Sequence, residues 1–204
     1  MGFSIVTAAV VFGLIAVVEL PDKTFVATLV LSTRFRPLLV WLGVSLAFAV
    51  QTVVAVTLGG LLGRLPSTPV KIFAGVMFLI GGIVLLRGAS RARAEEEEAE
   101  EEFAAKGSSD VRGWHVVALS FSILFLAEWG DLSQILTASL VLRYQDPVSV
   151  FVGAFLALVA VSGLGALAGR WLLTRMQPAT IRRVAGIVCL LLALLTAVEV
   201  SGIL

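Results

Sequence analysis

Six apolar stretches run along the chain, roughly over residues 3–33, 38–62, 69–87, 113–142, 147–171 and 180–202. Each is close to or beyond the ~20 residues that carry a helix across a bilayer. Polar clusters holding helix breakers separate them: Arg34-Phe35-Arg36-Pro37, Arg64 to Pro69, Arg143 to Pro147, and Arg175 to Pro178. Proline suits the first turn of a helix, where its missing N–H leaves no bond unmade. The stretches are apolar nearly all round, as expected of spans and not of helices with one wet face. They lack the strand-length alternation of a β-barrel. The pattern predicts an all-α integral membrane protein with six transmembrane helices.

The first and fourth stretches are about 30 residues long, or ~45 Å as continuous helix, against a hydrocarbon core of ~30 Å. Each is therefore expected to tilt strongly or to be broken near the midplane. The chain also repeats. Glu19, Asp22 and Thr28 match Glu128, Asp131 and Thr137 at an offset of 109. Pro37, Val40, Gly43, Leu46 and Ala47 match Pro147, Val150, Gly153, Leu156 and Ala157 at 110. Ala74, Gly75 and Leu79 match Ala185, Gly186 and Leu190 at 111. A three-span repeat has an odd number of crossings, so its second copy must sit upside down, as in many secondary transporters. The organisation expected is a first three-helix repeat over 1–87, an acidic linker over 88–112, and a second repeat over 113–204.

Composition agrees with a bilayer location. Of the 204 residues, 59% are apolar and 14% charged, whereas soluble domains carry about 25% charged residues. A net charge of +1 supplies no basic surface for nucleic acid. The single cysteine, Cys189, excludes an internal disulfide. Lysine and arginine are unevenly placed, with 11 in the loops after stretches one, three and five and three on the opposite side. The positive-inside rule then puts both termini outside and the acidic linker in the cytoplasm. Short loops, and a start that lacks the basic flank of a cleavable signal peptide, suggest a bacterial inner membrane.

Half of the 14 acidic residues form one run, Glu95 to Glu98 and Glu100 to Glu102. It reads as a solvated continuation of the third span, supported by Arg91–Glu95 and Arg93–Glu97 at i, i+4, more than as a collector of cations. Four others, Glu19, Asp22, Glu128 and Asp131, lie inside apolar stretches. An ionisable group there costs at least ~2.5–3.5 kcal/mol, and such groups are usually functional. They form two motifs, Glu19-Leu20-Pro21-Asp22-Lys23-Thr24 and Glu128-Trp129-Gly130-Asp131-Leu132-Ser133. The i, i+3 spacing puts both carboxylates of a pair on one helix face. Inverted repeats would bring the pairs together, a negative site that must take up cations or protons.

Each motif contains a breaker. Pro21 has no N–H for the Val17 carbonyl, and Gly130 tolerates a break in the second copy. Freed carbonyls at membrane depth are tolerated where they line a cavity. Thr24 and Ser133 add hydroxyls, and Gln51 is a further candidate from the second span. Every ligand so assembled (Glu19, Asp22, Glu128, Asp131, Thr24, Ser133, Gln51 and the Val17 carbonyl) is an oxygen. Oxygen donors suit Ca²⁺, Mn²⁺ or Mg²⁺, and the reluctance of Mg²⁺ to shed water favours the first two. Lys23 is expected to balance charge when the site is empty. Trp129 is expected to pack and not to plug the site, and Trp41, Trp114 and Trp171 to anchor span ends at the interface. Gly59/Gly63 and Gly165/Gly169 have the spacing of close helix packing.

The two motifs resemble the doubled E-x-G-D-K/R-S/T signature of uncharacterised protein family 0016, the Gdt / transmembrane protein 165 family of Ca²⁺/Mn²⁺ exchangers. The resemblance covers the whole chain, with Pro21 in place of the family glycine and Leu132 in place of the second basic residue. It implies exchange of Mn²⁺ and/or Ca²⁺ for protons, the cation being substrate and no cofactor being needed. It also implies that Glu19, Asp22, Lys23, Thr24, Glu128, Asp131 and Ser133 carry the site. The expected partners are the divalent cation, protons and lipid, without nucleic acid, in a monomer or homodimer. Other readings stay open. A six-span exporter of another transition metal or of an amino acid is one; an amino-acid site would want a cationic partner for the carboxylate. An intramembrane Mg²⁺-dependent enzyme would need basic residues for a phosphate, and only Lys23 is near. A transporter, not an enzyme, is expected.

Overall fold

The computed structural model describes residues 3–20, 23–63, 67–106, 111–175 and 178–201, and every regular element among them is a helix. In chain order these are α1 (Ile5–Glu19), α2 (Lys23–Arg34), α3 (Pro37–Leu62), α4 (Ser67–Gly88), α5 (Ala92–Lys106), α6 (Trp114–Ala127), α7 (Leu132–Tyr144), α8 (Pro147–Arg175) and α9 (Pro178–Ser201). The starts follow local chemistry. Ser4, in an extended conformation, caps α1 by accepting the Thr7 N–H on Oγ at 3.2 Å. Helices α3, α8 and α9 each open on a proline, which is pre-set for that position. At the end of α7, Gln145 turns left-handed, with φ 52°.

Helices α3, α4, α8 and α9 are long and apolar enough to cross a membrane alone. The other two apolar stretches are bent, α1 against α2 by 71° and α6 against α7 by 72°, and if each bent pair is one span the total reaches six. Both bends fall at the acidic motifs, where the sequence places its breakers. The apolar portions of α3 and α8 are each 44% buried within the molecule, against 28% for α4 and 22% for α9. Helices α3 and α8 therefore form the centre. Helices α4 and α9 present Ile80, Val84, Ile187 and Leu194 outward, an apolar face of the kind that lipid covers in a membrane protein.

The central packing has a regular design. Helices α1 and α8 start at the same end, with the Ser4 N–H donating to Ser149 Oγ at 2.8 Å. Further along, a Cβ added to Gly153 would stand 2.4 Å from the Ala8 carbonyl oxygen and 2.9 Å from Val11 Cβ. Helices α3 and α6 meet in the same way, because a Cβ on Gly43 would stand 2.4 Å from the Val117 carbonyl oxygen and 2.9 Å from Ser120 Cβ. The contacting residues on α1 and α6 are related by the offset of 109, and the two glycines by 110. Helices α4 and α9 run in opposite directions, with Gly75 meeting Thr196, Gly82 meeting Leu190 and Gly186 meeting Leu86.

Trp41 donates Nε1–H to the Val159 carbonyl at 2.9 Å and so joins α3 to α8. One expectation changes here. The acidic run is not a straight extension of the third span. Helix α4 ends at Gly88, and α5 packs against α2 with Ala92, Ala99 and Phe103 buried. Spacings of seven and four put these three on one stripe of the helix, and Glu97, Glu98, Glu101 and Glu102 are exposed. Trp171 has its side chain outside the described residues.

The loop between α7 and α8 is fixed by Asp146, whose Oδ1 accepts the Ser149 N–H at 3.2 Å. Hydrogen bonds from the Ser149 hydroxyl and backbone hold the Asp146 carboxyl below its ordinary value of 3.8.

Candidate functional site

The site is best defined at the second break. Helix α6 ends as Glu128 takes the cap position, its N–H still bonded to the Leu124 carbonyl at 3.0 Å. Gly130 then adopts φ 78°, a left-handed backbone that costs an L-residue roughly 1–2 kcal/mol. Asp131 follows, extended, and caps α7. Its Oδ2 accepts the Ser133 N–H at 3.1 Å and the Ser133 hydroxyl at 2.7 Å, and its Oδ1 accepts the Gln134 N–H at 3.1 Å. A carboxylate at this position also meets the positive end of the helix dipole. Gln134 bridges the gap, donating from Nε2 to the Glu128 carbonyl and accepting the Gly130 N–H on Oε1 at 3.3 Å. The break is thus a built structure in which the backbone N–H groups of Glu128, Gly130, Asp131, Ser133 and Gln134 have partners.

Gln51 reaches the same place from α3. Its side chain is 2% exposed, and its Nε2 donates to the Phe125 carbonyl in the last turn of α6 at 3.2 Å. Trp129 is 57% exposed and lies against Phe125 with ring centroids 4.8 Å apart. Phe125 in turn stacks on Phe121, so Trp129 ends an aromatic ladder along α6, which is a packing role. Leu132 turns towards α4, with its Cδ1 2.9 Å from where a Cβ on Gly81 would stand. Leu132, one of the two residues that depart from the resemblance, therefore packs between helices.

The first break shows matching features. Glu19, the last residue of α1, is 1% exposed, and Glu128 is 4% exposed. Carboxylates this deeply buried are tolerated only with charge or hydrogen-bond compensation, or protonated. Thr24 is fully buried, and its carbonyl accepts the Thr28 hydroxyl at 2.8 Å; the Ser133 carbonyl accepts that of Thr137 at 2.7 Å. The Thr24 hydroxyl itself has no hydrogen-bond partner among the described residues. Val18 before Glu19 and Leu124 before Glu128 belong to one continuous core.

Of the expected ligands, Glu19, Thr24, Gln51, Glu128 and Ser133 are buried and Asp131 is half-buried. Gln51, Glu128, Asp131 and Ser133 all gather at the second break. Asp22 lies outside the described residues, as does the side chain of Lys23. So does residue 21, whose missing N–H would free the Val17 carbonyl. Among the described residues no three His, Cys, Asp or Glu side chains form a group able to hold one metal ion. What the sequence reading missed is Gln134. The signal was present, since Asp131-Leu132-Ser133-Gln134 has the spacing of a capping box, in which a glutamine at the third helical position reaches back over the cap.

Helices of membrane-crossing length around two matched, bent pairs, each with a buried glutamate at the bend, define a multi-pass membrane protein of transporter type. The family described as "Divalent cation/proton antiporter GDT1" matches the chain twice, over residues 7–93 and 116–202, once around each acidic motif. GDT1-like protein sll0615 of Synechocystis sp. is 32% identical over 191 residues, spanning 90% of this chain and 92% of the relative. Protein PAM71, chloroplastic, of Arabidopsis thaliana is 30% identical over 207 residues, spanning 93% of this chain and 56% of that protein. GDT1-like protein 3 of Oryza sativa subsp. indica is 29% identical over 192 residues, 87% of this chain and 68% of the relative. No solved structure matches. The chain belongs to the GDT1 divalent cation/proton antiporter family.

Proposed function

We propose that this protein exports Mn²⁺ and/or Ca²⁺ from the cytoplasm in exchange for protons, by alternating access to one buried site between two inverted three-helix repeats. The observation that carries the reading is the coincidence of three features in each half: a family match, a helix bend and a buried glutamate at the bend. Inversion is supported by the helix pairings. Helix α1 runs with α8 and α3 with α6, while Trp41 near the start of α3 meets Val159 and Gly163 near the middle of α8, and Gly63 at the end of α3 meets Gln145 just before α8. Helices α1 and α6, equivalent in sequence, then run in opposite directions.

In this mechanism Glu19, Asp22, Glu128 and Asp131 hold the cation, with oxygens from Thr24, Ser133, Gln51 and the Val17 carbonyl as further ligands and Lys23 as counter-charge. Protons occupy the carboxylates when the cation is absent, which keeps the empty site close to neutral. A cation entering from the cytoplasm displaces those protons. The repeats rock and release it outside, and protons then reload the site. Because Asp131 is already tied to α7, cation binding there would act directly on the second half of the bent pair. The arginine-rich side is the cytoplasmic one, which leaves both termini outside a bacterial inner membrane.

The test is flux in proteoliposomes with a trapped pH indicator. An imposed Mn²⁺ or Ca²⁺ gradient should drive saturable counter-movement of protons, and Glu19→Gln and Glu128→Gln should each reduce it by at least about a hundredfold, no less than the ~10–100-fold that loss of an outer-shell partner of a metal ligand costs. Full flux in both variants would overturn the site, and cation flux without proton movement would overturn the coupling.

A further inference from the structure

At the arginine-rich end of the molecule, the turn from α2 to α3 and the start of α6 enclose a pocket of about 350 Å³. Arg34 and Arg36 reach it from the turn, and Arg112 from the segment before α6. None of the three makes an ion pair among the described residues. Three arginines that line one small pocket repel each other, and an anion relieves that repulsion. Guanidinium is also the group best shaped to grip phosphate oxygens in pairs. The remaining wall includes Phe35, Leu39 and Val116. A freely soluble anion gains nothing from apolar walls, whereas a lipid has both parts.

The position of the pocket points the same way. It lies where apolar helices α3 and α6 begin, the level at which a span leaves the hydrocarbon. Trp114, in the first turn of α6, is 74% exposed, as befits an indole at the headgroup layer. We propose that this pocket binds the phosphate headgroup of an anionic phospholipid from the adjacent leaflet. Arg34, Arg36 and Arg112 hold the phosphate, and Phe35 and Leu39 lie along the first carbons of the acyl chain. The lipid would link α2, the second half of one bent pair, to α6, the first half of the other. The inference concerns a site apart from the carboxylates and does not depend on which cation is carried.

Binding is measured on the full chain in detergent by native mass spectrometry, titrating phosphatidylglycerol, phosphatidylcholine or inorganic phosphate. Phosphatidylglycerol should bind at least about tenfold more tightly than phosphatidylcholine. Arg36→Gln and Arg112→Gln should each weaken it roughly fivefold, the effect of one cationic side chain near a charged membrane surface. Arg183→Gln, which removes an exposed arginine outside the pocket, should leave it unchanged. Phosphatidylcholine binding of each variant reports whether it is folded. The inference fails if the two lipids bind alike, or if the Arg183 variant loses as much as the pocket variants. It fails also if inorganic phosphate binds with the same arginine dependence while the lipid does not.

Discussion

Asp131 carries two separable duties. As the cap of α7 it accepts three hydrogen bonds, and as a carboxylate beside the buried Glu128 it is a proposed cation ligand. Substitution can split them. Asparagine keeps a capping oxygen and ranks with aspartate at this position, while alanine loses the cap at a typical cost of ~1 kcal/mol. Asp131→Asn is therefore expected to abolish exchange with little change in thermal unfolding. Asp131→Ala should lose both exchange and stability. Unfolding temperature and proteoliposome flux, measured side by side, check the pair; equal stability loss in both variants would contradict the capping role. Gln134 and Gly130 complete the same unit, one bridging the broken backbone and the other taking a φ that a side chain would oppose. Much of this was readable from residue types, since a glycine before an aspartate and a glutamine three residues on make a helix start. The direction of Leu132 was not, because an apolar residue next to Asp131 in an acidic motif reads equally well as a wall of the site or as a packing group.

Among elements, the two parallel contacts of α1 with α8 and of α3 with α6 each depend on a glycine. An added methyl at Gly43 or Gly153 would fall 2.4 Å from a backbone carbonyl oxygen, which no side-chain rotation relieves. Gly43→Ala and Gly153→Ala should each destabilise by about 1–3 kcal/mol through overpacking. Gly60→Ala meets nothing within 4 Å and should instead stabilise α3 by up to ~1 kcal/mol, the helix preference of alanine over glycine. Thermal unfolding in one detergent checks all three. The glycines were visible in the sequence as repeat mates, but their partners were not, since the contacts join residues 74 to 145 positions apart. Helix α5 teaches a similar lesson. Seven glutamates dominate its pattern, and only packing against α2 reveals that Ala92, Ala99 and Phe103 form its buried stripe.

At the scale of the molecule, the pole opposite the arginine-rich end is tied by polar bonds. Asp146 caps α8 and bonds Ser149, and Ser149 receives the Ser4 N–H from α1. Across the same pole Arg143 at the end of α7 pairs with Glu199 of α9 at 2.9 Å and donates to Thr196. The folded Asp146 carboxyl titrates below its ordinary value of 3.8, so its contribution is complete above that value. It is lost as pH falls through the lower folded value, where the proton bound on unfolding favours the unfolded chain. Thermal stability should thus fall between neutral pH and the acid side of 3.8, and Asp146→Asn should flatten that part of the profile. An unchanged acid limb in the variant would remove this group from the account.

By itself the sequence determined the membrane class, the six apolar stretches, the doubled acidic motif and where the long stretches must bend. Each of these follows from local rules: hydrophobic length against bilayer thickness, backbone groups that proline and glycine set free, and the cost of charge in hydrocarbon. Tertiary structure alone decided that Asp131 is committed to a helix cap, that Gln51 meets the last turn of α6, that Trp41 joins two helices, and that α5 folds onto α2. It also gathered three arginines, from the end of α2, the turn after it and the segment before α6, around one pocket. These outcomes depend on which helix surfaces meet, and shape complementarity between distant segments leaves no periodic trace along a chain.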